Sequence, residues 1–267
     1  MLAKYAVLGA VIASLMPAQL ASACDGLLDG PKGIVREIVD GDTVLLDNGL
    51  VIRLIGTQAP KLALGREGLT DWPMGREAKA ALEGLVLGQP VVLRYGGEQL
   101  DRYGRSLGQL FTTGPEPVWV QQAMLTQGMA RVYSFPDNRR CLPELLAAES
   151  RARSMKLGIW SEPFYTVRRA DRPSAMLPLQ GHYELVEGRV LLAEMAQGRV
   201  FLNFGRFWKE DFTAVIDRAA LALFADGGID PQKLGGALIR VRGWVDINDG
   251  PRIEVTHPEQ IEVLAGP

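Results

Sequence analysis

Asp40 and Asp42, set on either side of Gly41, head the short inventory of residues in this chain that could do chemistry. An ionised carboxylate offers only acceptor oxygens, so such a turn can hold a hard cation or take a proton. Arg53 and the run Asp101-Arg102-Tyr103-Gly104-Arg105 supply guanidinium forks that match phosphate oxygens. A plain structural reading stands beside each: Asp42 closes its turn, Arg53 pairs with that acid, and Arg105 answers Asp101 across a bend. The two histidines, His182 and His257, and the two cysteines lie far apart in sequence and give no zinc-like cluster, which argues against transition-metal catalysis. With 29 Lys plus Arg against 31 Asp plus Glu, the net charge is -2. That balance argues against a protein that coats nucleic acid non-specifically, though it permits a local basic groove.

The elements that would position these groups are legible from period and punctuation. Residues 33–39, 43–46 and 51–55 read as a three-strand meander whose turns are Asp40-Gly41-Asp42 and Asp47-Asn48-Gly49. A loop over 56–73 leads to a helix over 75–87, where Ala78, Ala81, Leu82 and Leu85 recur at helical spacing. Strands at 91–95 and 106–111 follow, then helices at 118–127 and 143–156, stopped by Gly128 and Gly158 acting as C-caps. Five strands and three helices predict an α+β fold, mainly β, built on a five-stranded OB-type barrel.

Residues 166–180, with Pro173 and Pro178, lack sustained periodicity and read as a linker. Beyond them, 181–267 carries its own pattern: strands at 184–193, 199–204, 212–216, 238–247 and 252–264, with a helix at 218–224 between the third and fourth. That order predicts a second, smaller OB-like β-barrel. Arg240 and Arg242 alternate onto one strand face, and Phe204 or Trp244 could stack on bases; the preferred reading is that Trp244 is core and the arginines are solvated, because Asp246, Asp249 and Glu254 dilute the charge. Asn248 to Pro251 reads as a hairpin turn.

Residues 1–23 place Lys4 before an apolar run and end Ala21-Ser22-Ala23, the anatomy of a cleaved signal peptide. The apolar run is shorter than the ~20 residues a membrane span needs. The expectation is a periplasmic or secreted protein of 24–165 and 181–267 joined by the linker, with no transmembrane segment in the mature chain. In an exported chain the even count of cysteines predicts a Cys24–Cys141 disulfide, the alternative being lipidation of Cys24 as the new first residue.

The motifs Val39-Asp40-Gly41-Asp42-Thr43, Ile52-Arg53-Leu54-Ile55-Gly56-Thr57-Gln58-Ala59-Pro60, Asp101-Arg102-Tyr103-Gly104-Arg105 and Glu149-Ser150-Arg151-Ala152-Arg153 through Leu157-Gly158-Ile159-Trp160 occur in order over most of 33–162. In this the first domain resembles the staphylococcal thermonuclease family. The resemblance implies a Ca²⁺-dependent phosphodiesterase in which two aspartates and a backbone carbonyl hold the ion, a glutamate is the general base and two arginines clamp the phosphate. By position, Asp42 matches the first aspartate, Ala59 the carbonyl, and Arg53 and Arg105 the arginines. Gln58 stands in place of the second aspartate and Lys61 in place of the base. Ca²⁺ is therefore expected to bind weakly if at all, and an ammonium accepts no proton. With Arg53 and Arg105, Lys61 would make a cup of three cations facing one carboxylate. Glu67 or Asp71, further along the loop, could bend in as a substitute base, though nothing in the spacing requires it. Tyr103 and Tyr133 either stack on a nucleobase or pack at the rim.

The expected protein is thus an exported, monomeric, thermonuclease-like phosphodiesterase acting slowly on DNA or RNA. The alternative is a non-catalytic envelope module that binds nucleic acid, another anion or a protein.

Overall fold

The computed structural model describes residues 24–267; the expected signal peptide, residues 1–23, lies outside the described residues. Strand β1 (Leu28–Asp40) is long and curved because it serves two neighbours. Its first half pairs with β5 (Pro90–Tyr95) and its second half with β2 (Thr43–Leu46), with register irregularities at Asp29/Lys32, Val35/Glu37 and Ile38/Asp40. Bulges of this kind bend a strand enough to turn a corner. Strand β2 pairs with β3 (Val51–Leu54), β3 runs parallel to β6 (Ser106–Thr112), and β6 returns to β5, closing a barrel in the order β1-β2-β3-β6-β5. Alternate residues point inward, so Val35, Val44, Leu46, Ile52, Leu54, Leu93 and Leu110 are buried together.

A short strand β4 (Gly56–Gln58) leaves the barrel and pairs with β7 (Arg131–Tyr133). Helix α1 (Gly75–Val86) buries Ala78, Leu82 and Val86, one stripe at helical spacing, while α2 (Val120–Thr126) and α3 (Leu142–Ser154) pack on each other and on the barrel core. Helix α3 does not reach Gly158. It ends at Ser154, and Lys156 takes the left-handed position (φ 54°). Gly128, left-handed at φ 68° directly after the α2 cap, stops that helix as expected, and both glycines are also needed where the chain closes on itself: a Cβ on Gly128 would lie 2.2 Å from the Leu157 carbonyl oxygen, and one on Gly158 would lie 2.3 Å from that of Gly128. The backbones touch there, and the Ile159 N–H donates to the Gly128 carbonyl at 2.8 Å. The expected Cys24–Cys141 disulfide is present and ties the start of the described chain to the residue before α3.

The segment expected as a linker is structured. Strand β8 (Arg168–Arg169) runs parallel to β9 (Tyr183–Arg189), and a 3-10 turn over Pro173–Leu179 buries Met176 in the second core with Ala170. Apolar residues, invisible as a stripe in so short a run, pin it to the unit that follows. There β10 (Leu192–Ala196), β11 (Arg199–Asn203), β12 (Thr213–Ile216), β14 (Gly250–Val255), β13 (Leu238–Asn248) and β9 lie in that order, with α4 (Leu221–Asp226) following β12. Strands β12 and β14 are parallel. Strand β15 (Ile261–Ala265) pairs with the start of β13. Because β9 and β10 are separated only by Val190 and Leu191, whose N–H groups donate to Ala237 and Asn203 on the two flanks, they act as one bent strand. Apart from the added β15, the curled sheet therefore repeats the strand order of the first barrel: one long bent strand, two neighbours, a helix, and two further strands of which the second runs parallel to the third.

Candidate active site

Asp42 lies between β1 and β2 with its side chain 1% exposed, and every oxygen is in use. Oδ2 accepts the Ala59 N–H at 2.8 Å and lies 3.2 Å from Arg53 Nη2. The Lys61 ammonium spans both oxygens, at 2.8 Å and 3.0 Å, and Thr43 Oγ1 approaches Oδ1 at 3.4 Å. Burial alone would raise the Asp42 pKa, but Arg53 and Lys61 outweigh it and hold the group at about 2. Neighbouring Asp40, pushed up by its own burial and by Asp42, accepts the Asp42 N–H at 3.1 Å. The turn and the pairing of Arg53 with its acid are thus as the plain structural reading has them.

Arg53 has no free fork. It donates to the carbonyl oxygens of Leu54 (2.6 Å), Thr57 (2.8 Å) and Asp42 (3.3 Å), in a position fixed by β3 pairing Arg53 with Thr43. Arg105 Nε donates to Asp101 Oδ2 at 2.7 Å, while Asp101 Oδ1 accepts the N–H groups of Tyr103 and Arg105 at 2.9 Å each, so this bend is an Asx-type turn closed by its own ion pair. Tyr103 is 68% exposed, with the guanidiniums of Arg102 and Arg105 4.9 Å and 5.6 Å from its ring. Of the three cations, then, Lys61 and Arg53 meet on Asp42, whereas Arg105 is engaged with Asp101. Asp71 does not bend in as a base: its oxygens accept from the Ala63 N–H and from Arg76 Nε, and Glu67 is exposed.

Gln58 is turned away from Asp42. Its Oε1 accepts from Arg131 Nη2 at 3.1 Å, a consequence of Gln58 pairing with Arg131 across β4 and β7. Ala59 engages Asp42 through its N–H. Ca²⁺, which the resemblance implies, does not fit these residues: ammonium, guanidinium and amide donors already fill the Asp42 carboxylate, and the Gln58 oxygen is committed elsewhere. Among the described residues no group of three or more His, Cys, Asp or Glu is placed to hold a metal.

Behind this centre the two units are joined through polar groups that sequence reasoning missed. Arg131 Nη1 donates to the Tyr183 carbonyl at 2.7 Å, with its guanidinium between the rings of Tyr165 and Tyr183. Arg242 is fully buried and contacts Glu149 on α3 at 2.8 and 3.1 Å, the Val132 carbonyl at 3.2 Å and Glu262 at 2.5 Å. Arg240, on the same strand face, pairs with Glu187 and Glu262. The expectation of solvated arginines and a core Trp244 is therefore reversed. Trp244 is 43% exposed and donates to the Tyr133 hydroxyl at 3.2 Å, within an edge-on aromatic group that includes Phe135 and Tyr183. Tyr133 is half-buried in that group. Ser134 contacts His257 Nε2 at 2.7 Å. Thr256 Oγ1 spends its proton on Gln260 Oε1, so His257 Nδ1 donates to Thr256 and Nε2 accepts from Ser134. Burial pushes the His257 pKa down to about 4.

A closed five-stranded barrel with helices packed around it is an OB-type α+β architecture, and comparison with known proteins places it in a nuclease family. The family model described as "Staphylococcal nuclease homologue" matches residues 51–162. "Protein ParB" of Escherichia coli is 37% identical over 141 residues, covering 49% of this chain and 73% of that protein. An "Uncharacterized endonuclease" of Escherichia coli O157:H7 is 35% identical over 133 residues, covering 49% and 77%. A "Thermonuclease" of Staphylococcus intermedius is 29% identical over 134 residues, again covering 49% and 77%. The chain belongs to the staphylococcal nuclease homologue family, and each of these three matches covers about half of it.

Proposed function

We propose that this is an exported, monomeric nuclease-family protein, periplasmic or secreted, whose phosphodiesterase centre is closed from within, so that it hydrolyses DNA or RNA slowly at most. The observation that carries the reading is the seat of Lys61: the position that would need a proton acceptor holds an ammonium, clamped on the carboxylate that would need to be free. General acid–base assistance is typically worth about 10² to 10⁴-fold, so loss of the base alone leaves a slow enzyme rather than none. Export is supported by the disulfide, which persists in oxidising compartments.

The rival reading, a binding module, draws on the exposed Tyr103 beside Arg102 and Arg105, a stacking ring with adjacent cations. One experiment separates the two. The full chain is incubated with single-stranded DNA and with RNA, in Ca²⁺ or in chelator, beside Lys61→Glu and Arg105→Ala. Slow wild-type cleavage that Lys61→Glu accelerates supports a disabled nuclease. Binding without cleavage by either form, weakened by Arg105→Ala, supports the module. Vigorous divalent-ion-stimulated digestion by the unmodified chain would refute both.

A further inference from the structure

The second unit carries a cleft of about 460 Å³ formed wholly by residues between Glu194 and Arg252, away from the Asp42 centre in sequence and structure. Its floor is the outer face of the curled sheet. On β11, Val200 and Leu202 enter the core while Phe201 and Asn203 face the cleft; on β12, Ala214 and Ile216 enter the core while Thr213 and Val215 face it. Two turns form the rim, Ala196-Gln197 between β10 and β11 and Asn248-Asp249-Gly250 between β13 and β14. Trp208, 58% exposed on the loop between β11 and β12, supplies the wall.

That wall is set in advance. Asp211 Oδ2 accepts the Phe207 N–H at 2.7 Å, folding the loop on itself. The loop also presses on the rim turn, where a Cβ on Gly250 would lie 2.4 Å from the Asp211 carbonyl oxygen. The floor is equally ordered: Thr213 Oγ1 donates to Asn203 Oδ1 at 3.1 Å, and Asn203 Nδ2 donates to Glu194 at 3.1 Å, a polar row crossing three strands.

In the OB strand order repeated here, the face of the second and third strands, with the first–second and fourth–fifth turns, is where oligonucleotides or oligosaccharides bind. Charge chooses between them. Glu194, Asp211 and Asp249 line the cleft against Arg199 and Arg252, and both guanidiniums are already paired, Arg199 with Asp217 at 2.7 Å and Arg252 with Asp246 at 3.0 Å. Among the lining residues a polyphosphate chain would find three carboxylates and two cations already paired, with the Lys209 ammonium 5.3 Å from the Trp208 ring at the wall. A sugar ring presents an apolar C–H face and equatorial hydroxyls, which suit an indole and a phenyl ring beside fixed amide, hydroxyl and carboxylate groups. We propose that this cleft binds a short neutral oligosaccharide.

The test is a panel titration of the full chain with neutral trisaccharides (chitotriose, cellotriose, maltotriose, xylotriose) and with a short single-stranded DNA, read by calorimetry and by tryptophan fluorescence. At least one sugar should bind saturably, with little dependence on salt. Trp208→Ala, at an exposed position, should weaken that binding roughly tenfold, the effect of losing one aromatic platform, and Asn248→Ala should weaken it as well. Failure of every sugar to bind overturns the proposal. So does sugar binding that both variants leave intact, or salt-sensitive DNA binding that Trp208→Ala abolishes.

Discussion

Replacing Arg242 by Met should uncouple the two units at a cost that can be worked from its surroundings. Its side chain and that of Glu149 are both 0% exposed, so the pair is a buried one in which charge without a partner is penalised. Removing one member of such a pair typically costs about 3 to 5 kcal/mol. Glu149 keeps two donors, Arg153 at 2.9 Å and the Val132 N–H at 2.7 Å, and Glu262 keeps Arg240, which puts Arg242→Met near the lower end, about 3 kcal/mol. Making Glu149→Gln in the same chain removes the stranded charge, so the double variant should lose less than the sum of the singles. Burial alone would raise the Glu149 pKa, but Arg242 and Arg153 hold it below its ordinary value. Its stabilising contribution is therefore present above the unfolded carboxylate pKa and lost as pH falls through the lower folded value; without Arg242 the folded value rises toward the unfolded one, so less stability is lost and the loss is complete at a higher pH. Urea unfolding followed by far-UV circular dichroism and by tryptophan fluorescence should give one coincident transition for the wild type and two for Arg242→Met. A coincident, unshifted transition in the variant, or strict additivity of the double variant, would refute the reasoning.

Three further outcomes are expected. His257, whose folded pKa of about 4 lies below the ordinary 6.5, makes the neutral form part of the native state; about 3 kcal/mol of stability should be lost as pH falls from 6.5 to 4, and His257→Gln should flatten that stretch of the stability–pH curve. Asp42, held at about 2 against an ordinary 3.8, should contribute about 2 kcal/mol that persists above pH 3.8 and disappears toward pH 2, while Lys61→Met should raise the folded value, so that a smaller loss is complete at a higher pH, as read by thermal melts in acid buffers. Cys24 and Cys141 are 117 positions apart, so on chain-entropy grounds replacing both by Ser should cost about 4 to 5 kcal/mol in urea unfolding, with no matching effect of reductant on the double variant.

The first barrel was legible because its instructions are local. Period-two alternation, the Asp47-Asn48-Gly49 turn and the helical recurrence of Ala78 and Leu82 each act within a few residues, and the strands and helices fall close to where these signals put them. The plain pairings at the site were also visible, since Arg105 needs only a short bend to reach Asp101. Arg242 could not be read in this way. Its alternation with Arg240 marks a common strand face, but whether that face meets water or Glu149 depends on a helix 93 positions earlier in the chain. The same is true of Trp244, whose partner Tyr133 is 111 positions away, and of Met176, whose burial is decided by the second core. Lys156 takes a left-handed position ahead of Gly158, which is left-handed too (φ 51°) and lies where the chain touches Gly128.

The closed centre and the polar junction are linked through Gln58. Its amide oxygen accepts from Arg131, and Arg131 reaches on to the carbonyl of Tyr183 in the second unit. An aspartate at 58, one methylene shorter than glutamine, would still share its position across β4 and β7 with the buried Arg131 guanidinium and be attracted to it. It would reinforce the contact between the units rather than add a second acid beside Asp42. Exchanging Lys61 alone frees the Asp42 oxygens, yet leaves position 58 directed at the junction. On the function proposed above, the side chain at the second acidic position is engaged at the junction between the curled sheet and the barrel rather than beside Asp42.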